Sequence, residues 1–136
     1  MKDISDGADL MTTAREALLR ELLPVLPAEH RYSALMIANG MAIAAREHRL
    51  GPDAGQSETV RMRNLLAGCA LPIPPSNDAH ALRRIVCSAI RAGRFDEPAS
   101  ATRLTQALMH TAEAWVAISN PKALRTASQP TGRNEA

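Results

Sequence analysis

An all-α fold is what this sequence predicts, and three observations carry the prediction. Aromatic residues make up only 2% of the chain, so its core must be built from Leu, Ile, Met, Val and Ala. Leu, Met and Ala favour helix over strand. The apolar positions recur at i, i+3 and i+4, the period of a helix with one buried face. Pro and Gly cluster between these periodic stretches, where helices stop. At 136 residues, with 46% hydrophobic residues, the chain is the size of one ordinary domain. About five helices packed as a bundle around a central buried helix are expected, in a single domain over 9–124 with mobile termini at 1–8 and 125–136.

The first helix is predicted over Asp9–Leu23. Asp9 serves as its N-cap, and Leu10, Ala14, Ala17, Leu18 and Leu22 form one stripe before Pro24 and Pro27. The second runs over Glu29–His48, with Gly51 and Pro52 as its stop. From Ser33 to Ala45 it carries no charge, and Leu35, Met36, Ile37, Met41 and Ile43 point in every direction. A helix apolar all round is a buried helix. A homodimer covering part of it is the matching expectation, since five helices are few to surround it.

The third helix, Ala54–Ala67, has a thin apolar face in Val60, Leu65 and Leu66, and Gly68 ends it. The proline-rich stretch Leu71–Pro75 reads as an extended connector. The fourth helix, Asn77–Ala92, is capped by Ser76 or Asn77, closed by Gly93, and buries Leu82, Ile85, Val86, Ala89 and Ile90. The fifth, Pro98–Ser119, turns Leu104, Leu108, Ala112 and Trp115 inward until Asn120 and Pro121 break it. A polar tail follows.

The polar residues suggest three constellations. Arg31, Asn39 and Arg46 lie within about 80° of one another on the second helix. Two guanidiniums and an amide can hold an anionic or carbonyl-bearing ligand. The plainer alternative has Asn39 bonding a loop and the arginines pairing with carboxylates such as Glu47 or Glu113. Arg83, Arg84, Arg91 and Arg94 share one face of the fourth helix, with Cys87 in their midst. Such a face can bind phosphates, but it is also what any solvated amphipathic helix shows. His110 and Glu113 have a spacing that could share a metal, yet no further ligand joins them, and no metal or cofactor is expected.

Composition narrows the classes further. The net charge of +2 and the scarcity of aromatics for stacking disfavour nucleic acid as a partner. Two cysteines, Cys69 and Cys87, are too few for a disulfide framework and are expected reduced. The first residues are acidic rather than apolar, and no run reaches the ~18 apolar residues of a membrane span. A cytoplasmic location is therefore expected. Phosphate-loop, nucleophile-elbow and dinucleotide-binding patterns do not occur, so the sequence favours a non-catalytic role.

Leu23–Pro27, the run Arg31–Glu47, Leu50–Gly51, Ile90–Asp96 and Ala117–Pro121 together resemble the pattern of an uncharacterised bacterial domain family. The likeness extends over about Asp9 to Leu124. Members of that family occur beside or fused to aminoglycoside-phosphotransferase-like kinases, often near acyl-CoA dehydrogenases. The resemblance implies an accessory module for such a kinase or for an acyl-CoA-metabolising enzyme. The alternative is a binding domain, or an enzyme without a familiar motif, for an anionic or phosphorylated small molecule such as an acyl-CoA. The family's polar positions fall on Arg31, Asn39, Arg46, Glu47 and Asn120. One departure is Trp115, which stands where the family commonly has a basic residue.

Overall fold

The computed structural model describes residues 6–127, and among them it contains five α-helices and no strand. The expected all-α class is what the chain adopts. Helix α1 spans Gly7–Ala17, α2 Ala28–Gly68, α3 Ala79–Arg91, α4 Pro98–Ser119 and α5 Pro121–Ala127. Between α1 and α2 the chain makes a π-helical turn, Leu18–Leu22, and a 3-10 turn, Leu23–Val25, with Pro24 in that turn.

Several boundaries differ from the sequence reading. The N-cap of α1 is Asp6, whose carboxylate accepts from the Asp9 N–H at 2.9 Å, rather than Asp9 itself. Gly7 and Ala8 are helical, and so are Arg125–Ala127, so these are not tail residues. Residues 1–5 and 128–136 of the expected mobile termini lie outside the described residues. The cap of α3 is Asp78, which accepts from His80 N–H, while Ser76 Oγ accepts from Asp78 N–H. Gly93 closes α3 at φ +72, a left-handed turn that suits a residue without Cβ.

The largest correction concerns Gly51 and Pro52. They do not stop a helix: the second and third predicted helices are one continuous α2, with Pro52 inside it. The turns that follow bury Ala54, Glu58, Met62, Leu65 and Leu66 at i, i+4 and i+3 steps. That burial outweighs the cost of one missing backbone hydrogen bond.

The chain divides into two compact units. One is Met1–Pro52 with Ile118–Ala136; the other is Asp53–Ala117. The second holds the main hydrophobic cluster, Met62, Leu65, Leu66, Leu82, Val86, Ala89 and Phe95. Of the faces predicted for it, Val60, Leu108, Ala112 and Ile90 stand exposed instead, while Leu65, Leu66, Leu82 and Val86 are buried as expected.

The first unit packs more thinly. Among the described residues its buried apolar side chains are Ala8, Ala34, Ala38, Ala45 and Ile118. Arg49 pairs with Asp9 at 2.9 Å, and the His48 ring lies 3.6 Å from where a Cβ on Gly7 would stand, so α1 lies along the first half of α2. The expectation that this half of α2 is buried on every side fails at Leu35, Met36 and Ile37, each about half exposed. An alanine stripe faces α1, and among the described residues this unit offers few other elements to cover the remaining sides. Leu10 and Leu22 of the predicted α1 stripe are likewise exposed.

Candidate functional site

Asn39 and Arg46 project from α2 two turns apart, and the turn between α4 and α5 brings Asn120 to them. These three residues line a single cavity of about 490 Å³. Arg15 of α1 and Lys122 of α5 complete its polar wall, with Ser119, Ala42 and Pro121 filling the rest. The guanidinium of Arg15 is positioned by its Nε, which donates to the Ala38 carbonyl at 3.2 Å. Arg46 Nε donates in the same way to the Ile118 carbonyl at 2.6 Å. Each arginine is thus fixed at one nitrogen by a helix backbone, which leaves its terminal nitrogens for other partners.

Among the described residues, no carboxylate pairs with Arg15, Arg46 or Lys122; the ion pairs are Arg49–Asp9 and Arg83–Glu58. Three cations and two amides around one cavity, without a counter-charge, make a site suited to an anion. Asn39 is exposed rather than sealed among apolar side chains, so solvent satisfies its amide and no buried partner is needed. The expected pairing of the arginines with Glu47 or Glu113 does not occur: their Nε atoms bond backbone carbonyls instead.

Two of the five predicted binding residues stay out of this cavity. Arg31 Nε donates to the Leu26 carbonyl at 3.2 Å and ties down the turn before α2. It is absent from the cavity lining and lies fifteen residues from Arg46, about 22 Å along the helix axis, too far to share a small ligand with it. Glu47 is exposed and is not part of the lining. Arg15 and Lys122 had no signal in the sequence, because their place depends on how α1 and α5 align with α2.

The basic face of α3 is also reorganised. Arg83 Nη2 donates to Glu58 Oε2 at 2.6 Å and its Nε donates to Oε1, a bidentate pair that takes Arg83 out of any phosphate-binding row. Arg84, Arg91 and Arg94 are exposed. Glu58, 1% exposed, also accepts from the Trp115 indole N–H at 2.9 Å. These bonds, that of Arg83 foremost, hold the Glu58 carboxyl below its usual pKa, and Glu58 in turn raises that of Arg83. Trp115 therefore secures a buried carboxylate at the position where the resemblance expects a base. Nearby, Arg61 Nε donates to Thr111 Oγ1 at 3.3 Å.

Cys69 and Cys87 are both free. Among the described residues no three His, Cys, Asp or Glu side chains gather as metal ligands, and no helix is long and apolar enough to cross a membrane.

Fold and site together define an all-α protein with a cationic, amide-lined cleft. The chain belongs to the DUF6285 family, a domain of unknown function, whose pattern matches residues 24–123. That span includes Asn39, Arg46, Asn120 and Lys122 but not Arg15. No curated protein and no solved structure matches the chain.

Proposed function

We propose that this domain binds an anionic small molecule through a phosphate or carboxylate group held by Arg15, Arg46 and Lys122, with Asn39 and Asn120 as amide partners. The carrying observation is the unpaired positive lining of the 490 Å³ cavity. Its size lies within the roughly 300–1,000 Å³ of ordinary small-molecule sites. Its apolar lining is limited to Ala42 and Pro121, so a compact charged group suits it better than an acyl tail. The lining contains no carboxylate, imidazole or thiol, which favours binding over acid–base or covalent chemistry.

An accessory role beside a phosphotransferase-like kinase or an acyl-CoA-handling enzyme fits a domain of this kind. Such a domain would hold a phosphorylated or acidic metabolite for a catalytic partner. Co-purification with the kinase-like protein tests that role directly, and absence of a complex at micromolar concentrations counts against it.

The binding test is a thermal-shift series with inorganic phosphate, citrate, sugar phosphates, nucleotides and coenzyme A, against chloride at matched ionic strength. A ligand at 100 times its dissociation constant stabilises the fold by ~2.7 kcal/mol. Lys122→Ala and Arg46→Ala should remove most of that shift, and Arg31→Ala should keep it. No anion-specific shift, or equal loss in Arg31→Ala, refutes the assignment.

A further inference from the structure

Arg61 and Asn64 of α2 and Arg103, Gln106 and His110 of α4 line a cleft of about 260 Å³ that lies wholly within the second unit. Each helix contributes an arginine followed three residues later by an amide, the step that puts both on one helical face. The two helices run antiparallel: Glu58 meets Trp115, Arg61 meets Thr111 and Gly68 meets Arg103. That register decides where the charges stand. Arg61 Nε donates to Thr111 Oγ1 at 3.3 Å, beside His110 at one end of the cleft. Arg103 Nη1 donates to the Gly68 carbonyl at 3.2 Å, at the other end. Arg61 and Gly68 are seven residues apart on α2, about 10 Å along its axis. Asn64 and Gln106 fall between the two ends, with the buried Leu65 beneath them.

The fold leaves both guanidiniums with donors to spare. Among the described residues the ion pairs are Arg49–Asp9 and Arg83–Glu58, and the lining of the cleft holds no carboxylate. Glu58, one turn before Arg61, already accepts from Arg83 and Trp115. Arg61 Nη2 is buried, yet it donates to no atom of the described residues. A buried charged donor left unmet is costly and rare in folded proteins, so it calls for a partner from outside the chain.

We propose that this cleft binds a small molecule anionic at both ends, one charged group meeting Arg61 and the other Arg103. A dicarboxylate or a phosphorylated acid has that form. Asn64 and Gln106 then face its middle, where carboxamides suit hydroxyl or carbonyl groups. A lone phosphate or carboxylate reaches one guanidinium only, because the register holds the two apart. The volume falls below the roughly 300–1,000 Å³ of drug-sized sites, which suits a compact acid better than a nucleotide. The cleft shares no residue with the cavity around Arg15, Arg46 and Lys122, and either assignment can fail alone.

Proton–nitrogen NMR of the full chain, following arginine Nε–H and carboxamide signals, provides the test. The probes are glutarate and phosphoglycerate, against inorganic phosphate and butyrate, which is glutarate without one carboxylate. Glutarate should move the signals of Arg61, Asn64, Arg103 and Gln106 together. It should saturate them at a concentration at least about tenfold below that of butyrate, the gain from a second charged contact. Tighter binding of phosphoglycerate than of glutarate would support the inference with a phosphorylated acid as the ligand, and the reverse order with a dicarboxylate. Arg103→Ala, at an exposed position, should reduce glutarate to the affinity of butyrate, while Lys122→Ala leaves it unchanged. Circular dichroism verifies that both variants keep their helix content. No saturable shift with either two-ended probe overturns the inference, as does equal binding of glutarate and butyrate, or loss of glutarate binding in Lys122→Ala.

Discussion

Glu58 accepts three hydrogen bonds, two from Arg83 and one from Trp115, and almost none of its surface meets solvent. A buried carboxylate so satisfied is a point of high sensitivity, because removing its charge leaves donors unpaired. Breaking a fully buried ion pair costs about 3–5 kcal/mol. The Arg83 side chain is 46% exposed and can turn to water, so the loss here is smaller. Glu58→Gln should therefore cost about 1–3 kcal/mol at pH 7, a fall of roughly 4–12 °C in Tm. The pH dependence has a definite sign. The folded-state pKa of Glu58 lies below its ordinary 4.5, so the native state favours the ionised form. That contribution is present above the unfolded pKa and lost as pH falls through the folded one. Urea titrations at pH 7, 5, 4 and 3 should show wild type and Glu58→Gln converging in acid. A gap that stays constant with pH contradicts the account.

At the scale of the element, α2 shows both what the sequence discloses and where local rules are outvoted. Pro52 lacks the N–H that would bond the His48 carbonyl, and its ring crowds that carbonyl, at a cost of about 3 kcal/mol. The helix continues because the following turns bury Met62, Leu65 and Leu66. Replacing Pro52 by Ala restores the bond, while giving back about 1 kcal/mol of unfolded-chain entropy. Pro52→Ala should thus stabilise the fold by about 2 kcal/mol in thermal or urea melts; a lower Tm than wild type contradicts a helix already continuous there. Helix α3 was legible because its apolar period alone sorts Leu82, Val86 and Ala89 inward. The exposure of Leu35, Met36 and Ile37 was not, since periodicity reports which side chains seek burial, not whether the unit has elements to cover them. The site divides in the same way. Asn39 stood out as an amide inside an uncharged run and Arg46 as the charge that ends it, whereas Arg15 and Lys122 are brought to them by packing between helices distant in sequence.

Across the whole molecule, stability is distributed unevenly. The cluster of Met62, Leu65, Leu66, Leu82, Val86 and Phe95 lies within residues 53–117. Among its described residues the first unit buries four alanines and Ile118 instead. A buried Leu, Val or Phe side chain contributes about 1.5–3 kcal/mol, and a methylene about 0.8 kcal/mol, so alanines supply little cohesion. Local opening should therefore need less free energy in α1 and in residues 28–50 than in α3 and residues 58–66. Hydrogen–deuterium exchange at low micromolar concentration should show amides of 82–89 and 62–66 at least tenfold slower than those of 34–45, a difference of about 1.4 kcal/mol. Phosphate supplies a further check: it should protect residues around Arg46 and Asn120 and leave 82–89 unchanged. Uniform protection of both units in the dilute sample would mean that the alanine-packed unit draws its stability from a source other than its own buried surface.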